Sequence, residues 1–238
     1  MQSKNILVAL AAIAGLSSLS AHAVNLVTNG DFETTTNGTD KQAGFNTNAT
    51  GWTTTGYNFL FSNIGSTSVG VYGGLSLWGP TYGVANGAVN SPTGGNFMAA
   101  DGAFSVAPIS QTLHGLSAGK YTVSFDWAGA QQTGFNGPQT EQWEVKLGGA
   151  PSQFTSVYNN PSHGFGGWWH ESYTFTVAAG DNVLSFLAHG TPEGVPPFSL
   201  IDGVSVQAVP EPETWALMIG GLGAVGMLLS RRRQLAAA

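Results

Sequence analysis

The chain has 238 residues, of which 34 are glycine and 11 are proline, and that density of backbone punctuation argues against long helices. Charged residues make up 8 %, against about 25 % in an ordinary soluble domain, too few to solvate a helical bundle, while 42 % hydrophobic residues are too many for a disordered chain. The net charge is −6 and three of the seven basic residues stand together at Arg231, Arg232 and Arg233, so no basic face exists for a nucleic-acid backbone.

The chain opens with Lys4, an apolar run from Ile6 to Leu16, a serine-rich stretch and then Ala21, His22 and Ala23. A positive start, a short apolar middle and a small-x-small site are the parts of an export signal. Residues 1–23 are therefore predicted to be a signal peptide, with Ala21 and Ala23 forming the cleavage site and Val24 the mature start. Residues 24–208 then form one domain, in which three lysines face eleven carboxylates for a net charge of −8. The chain has no cysteine, so an exported domain of this kind depends on core size or on a bound ion.

Residues 37–96 are rich in Gly, Asn, Thr and Ser and carry Trp52, Tyr57, Phe59, Phe61, Tyr72, Trp78 and Tyr82. Long polar loops bearing aromatic rings are expected there, as a recognition surface. Further on, period two takes over. Tyr121, Val123, Phe125 and Trp127 fall on one face of a strand, with Thr122, Ser124 and Asp126 on the other. Gln142 to Leu147 repeats this, with Trp143, Val145 and Leu147 inward and Glu144 and Lys146 outward. Tyr173, Phe175 and Val177 form a third set, and Ala179 to Asn182 is expected to turn it into a hairpin with Val183 to Ala188. A strand from Ser199 to Val206 closes the domain. The fold class predicted is all-β, an antiparallel β-sandwich.

Glu141 and Glu144 suggest an acid and base for glycoside hydrolysis, but their odd spacing on a strand sends them to opposite faces, as solvated edge charges. Asp126 with Glu171 or Asp181 has no local motif to mark it as catalytic. His163, His170 and Glu171 match no zinc-ligand spacing, and no nucleophile elbow or phosphate loop occurs. Six rings, Trp52, Tyr57, Trp78, Tyr82, Trp168 and Trp169, admit two readings, core packing or a platform on which sugar rings stack. Trp127 and Trp143 belong to the core by alternation, whereas the adjacent Trp168 and Trp169 must point opposite ways on an extended chain.

After the domain comes a linker, 209–214, and then an uncharged run from Trp215 to Leu229 ahead of the arginine cluster. At 1.5 Å per residue the run reaches about 22 Å, short of the ~30 Å hydrocarbon core, so residues 215–233 form a short transmembrane helix and a poor permanent anchor. The arginines hold its end cytoplasmic and put the domain outside. The string VPEPETWA, Val209 to Ala216, with a Gly-containing apolar helix and terminal arginines, resembles the PEP-CTERM sorting signal in its PEPxxWA form. That resemblance implies a Gram-negative producer of extracellular polysaccharide and an exosortase that recognises Pro210, Glu211 and Pro212, with Trp215, Ala216 and the arginines completing the signal. It also implies a transient stay in the inner membrane before delivery to the cell surface or extracellular matrix.

A second resemblance spans most of the domain. NLVTNGDFE at 25–33, FMAADG at 97–102, ISQTL with GKYTVSF between Ile109 and Phe125, and the closing SLIDGVSV are similar to galactose-binding-like jelly rolls, which include carbohydrate-binding modules. In that family the opening and closing strands lie side by side near a structural calcium, which would put Glu33 and Asp202 among its oxygen ligands. The chain departs from the family at Gly203, where a second Asp or Asn is usual. The expected function is non-catalytic carbohydrate binding in a biofilm or exopolysaccharide matrix. A structural or adhesion protein without a specific ligand is the first rival. The second, a glycoside hydrolase, would need two carboxylates converging about 5–10 Å apart in a cleft.

Overall fold

The computed structural model describes residues 24–62, 68–70, 73–79, 90–210 and 220–223. The export signal, Tyr82, and the tail from Glu211 onward apart from a short helical piece at 220–223 lie outside the described residues. Among those described, the strands are β1 (Lys41–Gln42), β2 (Asn58–Phe61), β3 (Ser68–Gly70), β4 (Gly73–Leu75), β5 (Phe97–Asp101), β6 (Ile109–Leu116) and β7 (Gly119–Gln131). They continue with β8 (Gln139–Leu147), β9 (Gln153–Phe154), β10 (Tyr158–Asn160), β11 (Trp169–Val177), β12 (Gly180–Thr191) and β13 (Pro197–Ala208).

Two sheets result. The larger runs β11-β7-β13-β5-β2-β1-β3-β4 and the smaller β10-β8-β12-β6, with β9 paired to β8. Among the described strands all pairings are antiparallel except that of β1 with β3. The predicted alternation of β7 and β8 holds: Val123, Phe125, Trp143, Val145 and Leu147 are fully buried and Lys146 is exposed. These inward faces meet, with Phe125 edge-on to Phe186 at 5.1 Å, and the Trp143 indole N–H donates across the sandwich to the Leu200 carbonyl at 3.1 Å.

Two expectations are corrected. Val177 and Gly180 do not flank a hairpin: β11 pairs with β7 in the larger sheet, whereas β12 pairs with β6 and β8 in the smaller. The turn carries the chain from one sheet to the other, so the polar turn residues were read correctly and the pairing was not. Nor is the first half a run of polar loops. Leu60, Met98 and Ala100 face the intersheet core, while Phe59, Phe61, Phe97 and Ala99 join Phe198 and Leu200 in a second core on the opposite face of the larger sheet. A strand buried on both faces has no polar side, which is why period two is absent from NFLF and FMAAD.

The opening motif lies beside the closing strand, as the jelly-roll resemblance implies, but as a turn rather than a strand. Leu26 N–H donates to Val206 O and Val204 N–H to Gly30 O, both at 2.9 Å, and Asn29 and Phe32 take φ of 53° and 55°. Phe32 is thereby driven fully into the core. At Gly30 a Cβ would stand 2.0 Å from the Val204 carbonyl oxygen, so only glycine lets the two backbones touch. Gly30→Ala is expected to lower unfolding free energy by roughly 2–4 kcal/mol. Denaturant unfolding checks this, and an unchanged midpoint would mean that the opening turn is not docked on β13.

Candidate functional site

At one side of the sandwich the outer strand of each sheet, β11 and β10, face each other. Odd-numbered residues of β11 point inward, so Phe175 and Val177 complete the core while Trp169 and Glu171, farther along, stand over the gap between the sheets. The Trp169 ring packs on Trp127 at 5.0 Å and on Tyr158 at 4.9 Å, yet remains 36 % exposed. These rings, with Ser156, His170 and Glu171, line a cleft of about 370 Å³. Three aromatics this close pack on one another and leave one outward ring face, the geometry of a platform rather than of a cage.

The polar groups of the cleft have distinct settings. His170 Nδ1 lies 2.9 Å from Asp126 Oδ1 on the outer face of the sheet. Glu171 pairs in register with Phe125 and so shares the inward face with the rings. Burial, reinforced by the charge of Glu171, pushes the Tyr173 phenol up to about 12. The Trp127 indole N–H is buried without a hydrogen-bond partner.

Behind Tyr158 sits Glu141, which is fully buried instead of being the solvated edge charge expected from spacing. Glu141 and Glu144 do face opposite ways, but the face assigned to Glu141 is the interior. The side-chain amides of Gln139 and Asn160 both donate to its Oε1, and its Oε2 has no partner. Burial with no opposing charge raises its pKa to about 8, and burial followed by the charge of Glu141 raises that of Tyr158. The acid is therefore neutral in the fold at pH 7.

A second acidic group lies where β13 meets the opening turn. Asp202 is fully buried and accepts from Ser91 Oγ, Thr93 Oγ1 and its neighbour Gly203 N–H. Burial, reinforced by the charge of Glu33, lifts it to about 7. Glu33 in turn accepts the Asn96 N–H at 2.6 Å. Gly203 departs from the jelly-roll pattern for a visible reason: it takes φ of 60° in the bulge of β13, and a Cβ would come within 2.9 Å of Thr93 Cγ2. Among the described residues no three His, Cys, Asp or Glu side chains gather as a metal cluster.

The remaining aromatic candidates divide. Trp52 is 3 % exposed and its indole N–H donates to Asn29 O, which makes it core. Tyr57 is buried as well, edge-on to Phe104 beside a cavity of about 410 Å³ that Asp101 also lines. Trp168 packs half-buried against Phe97, and Trp78 stacks on His163 at 4.3 Å. Trp168 and Trp169 thus point opposite ways, as adjacency on an extended chain requires. Sequence reasoning missed Tyr158, whose strand of three residues is too short to show a period.

Catalytic geometries are not assembled by the acids already considered. Asp126 and Glu171 project from opposite faces of the β7–β11 pair. Ser152, Glu144 and His189 are hydrogen-bonded in a row, but the glutamate stands in the middle, so the histidine does not contact the serine hydroxyl as it would in a catalytic triad.

A pH experiment follows from Glu141. The folded chain holds a proton up to about pH 8 that the unfolded chain releases near 4.5, so its stabilising contribution is whole below 4.5 and is lost as pH rises towards 8. Stability is expected to fall across that window by up to about 1.4 kcal/mol per pH unit from this group, and Glu141→Gln to flatten the slope. Chemical unfolding at a series of pH values checks it; an equal slope in the variant would show an ionised Glu141.

The comparisons with known proteins bear on the two parts of the chain separately. Residues 208–233 match the PEP-CTERM protein-sorting motif. No curated protein matches the chain. Among solved structures, the module TmCBM61 in complex with β-1,4-galactotriose aligns at 16 % identity and a TM-score of 0.47, covering 79 % of this chain and all of that one. The CBM22-1 xylan-binding domain from Paenibacillus barcinonensis Xyn10C aligns at 11 % and 0.35, covering 79 % and 97 %. The enzymatically active domain of tailspike protein 4 from bacteriophage CBA120 aligns at 14 % and 0.38, covering 78 % of this chain and 22 % of that one. The sandwich assignment rests on the strand order given above and not on these likenesses. The chain carries a PEP-CTERM sorting motif in its tail, and that motif marks an exported protein.

Proposed function

We propose that this is an exported, non-catalytic β-sandwich that binds extracellular polysaccharide in the side cleft, and that an exosortase processes its tail at Pro210, Glu211 and Pro212. The observation that carries the reading is the outward ring of Trp169, braced from behind by Trp127 and Tyr158. A braced aromatic ring stacks on the apolar face of a sugar at little entropic cost, and Glu171 on the same face can hydrogen-bond its hydroxyls. The cleft volume, about 370 Å³, is at the lower end of small-ligand sites. The divergence of Asp126 and Glu171 supports binding without hydrolysis.

Retention on the producer's own extracellular polysaccharide tests this. The full chain is expected to be retained, and Trp169→Ala to weaken retention by about tenfold or more. Trp52→Phe, a change inside the core, is expected to leave it alone. If Trp169→Ala bound as well as the parent while folding normally, the cleft would not be the site.

A structural calcium belongs to the same reading. Glu33, Asp202 and the hydroxyls of Ser91 and Thr93 are hard oxygen donors, and the groups that set the acidity of Asp202 include no base. The ion would supply the positive charge that the buried carboxylate lacks, with backbone carbonyls filling the coordination shell. Calcium is expected to raise the thermal midpoint and a chelator to lower it. An identical midpoint under both conditions would remove calcium from the account.

A further inference from the structure

We propose that the side cleft selects polysaccharides bearing free, protonated amino groups, with Glu171 taking the ammonium; this rests on the platform reading above and names the class of polymer it takes. The first argument is the charge around the rings. The ionisable residues that line the cleft are Tyr158, His170 and Glu171; the His170 ring turns to Asp126 on the outer face, Tyr173 stands next along the inward face from Glu171, and uncharged Glu141 lies behind Tyr158. No lysine lines it. Lys120 pairs with Thr176 towards the far end of β11, Lys146 pairs with Ser185 in the other sheet, and Lys41 lies on β1.

The second argument is independent of charge. Trp127 is 2 % exposed, forms a wall of the cleft, and its indole N–H has no partner. That N–H is closed off in the cleft as it stands, so what a sugar ring gains here without charge is stacking: its apolar face lies on Trp169, with the rings of Trp127 and Tyr158 packed beneath. An ammonium on such a ring gains twice, from the carboxylate of Glu171 and from the negative faces of Trp169 and Tyr158. A uronic acid or sulfated sugar would instead bring its charge against Glu171 within a domain whose net charge is −8. Neutral sugars keep the stacking and lose the ion pair.

Paired polymers with one backbone separate these terms. The full chain is tested for retention on a β-1,4-glucosamine polymer and on its fully N-acetylated form, at a pH where the free amines carry a proton. Tighter retention on the free amine is expected, with Glu171→Gln losing about fivefold there and a clearly smaller factor on the acetylated form, where the glutamine amide can still hydrogen-bond a hydroxyl. Glu193→Gln, an exposed carboxylate on the β12–β13 connection, reports adsorption of an acidic protein to any polycation and is expected to change neither. Equal retention on the two polymers, or equal losses in the two glutamine variants, would overturn the amine selectivity and leave the platform standing. Full retention by Trp169→Ala on both polymers would overturn the platform and the selectivity together.

Discussion

Phe97, Ala99, Phe198 and Leu200 pack on one face of the larger sheet while Met98, Ala100 and Ile201 pack on the other, so the middle of that sheet is covered on both sides. This double burial governs what the molecule can offer to a ligand. Of the first-half aromatics that a polar, glycine-rich sequence presents as recognition loops, Trp52 is consumed in building the first core and Tyr57, Phe59 and Phe61 in building the second. Phe59 and Phe61 lie stacked there at 5.9 Å. The side of the sandwich is open, where among the described strands β11 and β10 stand at the ends of their sheets and the core residues give way to Trp169 and Glu171.

The legible part of the sequence was the part with one wet face. β7 and β8 were readable because Thr122, Ser124, Glu144 and Lys146 mark the solvent side of each. β2 and β5 were not, since both of their faces are apolar and periodicity carries no information when every position is buried. The turn at Ala179 to Asn182 shows a different limit. Local chemistry identifies a reversal of the chain, but whether the two arms pair or separate into opposite sheets depends on distant strands. Glu141 shows a third: alternation assigned its face relative to Glu144 correctly, but only the packing of Gly129 and Tyr158 against it reveals that this face is interior. Of the cleft, Trp169 could be read from adjacency to Trp168, and Tyr158 could not be read at all.

The acids set the remaining character of the molecule. Asp101, Glu141 and Asp202 are all buried, and burial raises each one, to about 6, 8 and 7. A domain with three lysines has few cations with which to neutralise interior carboxylates, so Glu141 stays an uncharged hydrogen-bonding group, while Asp101 is held by the Ala103 and Phe104 N–H groups and Asp202 by the hydroxyls of Ser91 and Thr93. Without any cysteine, the fold depends on the two cores and on this satisfaction of buried polar groups. The tail adds an address, the PEP-CTERM sorting motif at residues 208–233.

The central claim is that recognition occurs at the side of the sandwich, and nuclear magnetic resonance of the isotopically labelled protein titrated with an oligosaccharide of its own matrix polymer tests it most directly. The indole N–H resonances of Trp127 and Trp169 and the amides of residues 156–158 and 169–171 are expected to shift together along one saturable curve. Shifts confined to the outer face of the smaller sheet, around Thr112, Thr140 and His189, or to the rim of the cavity at Phe104, would contradict it.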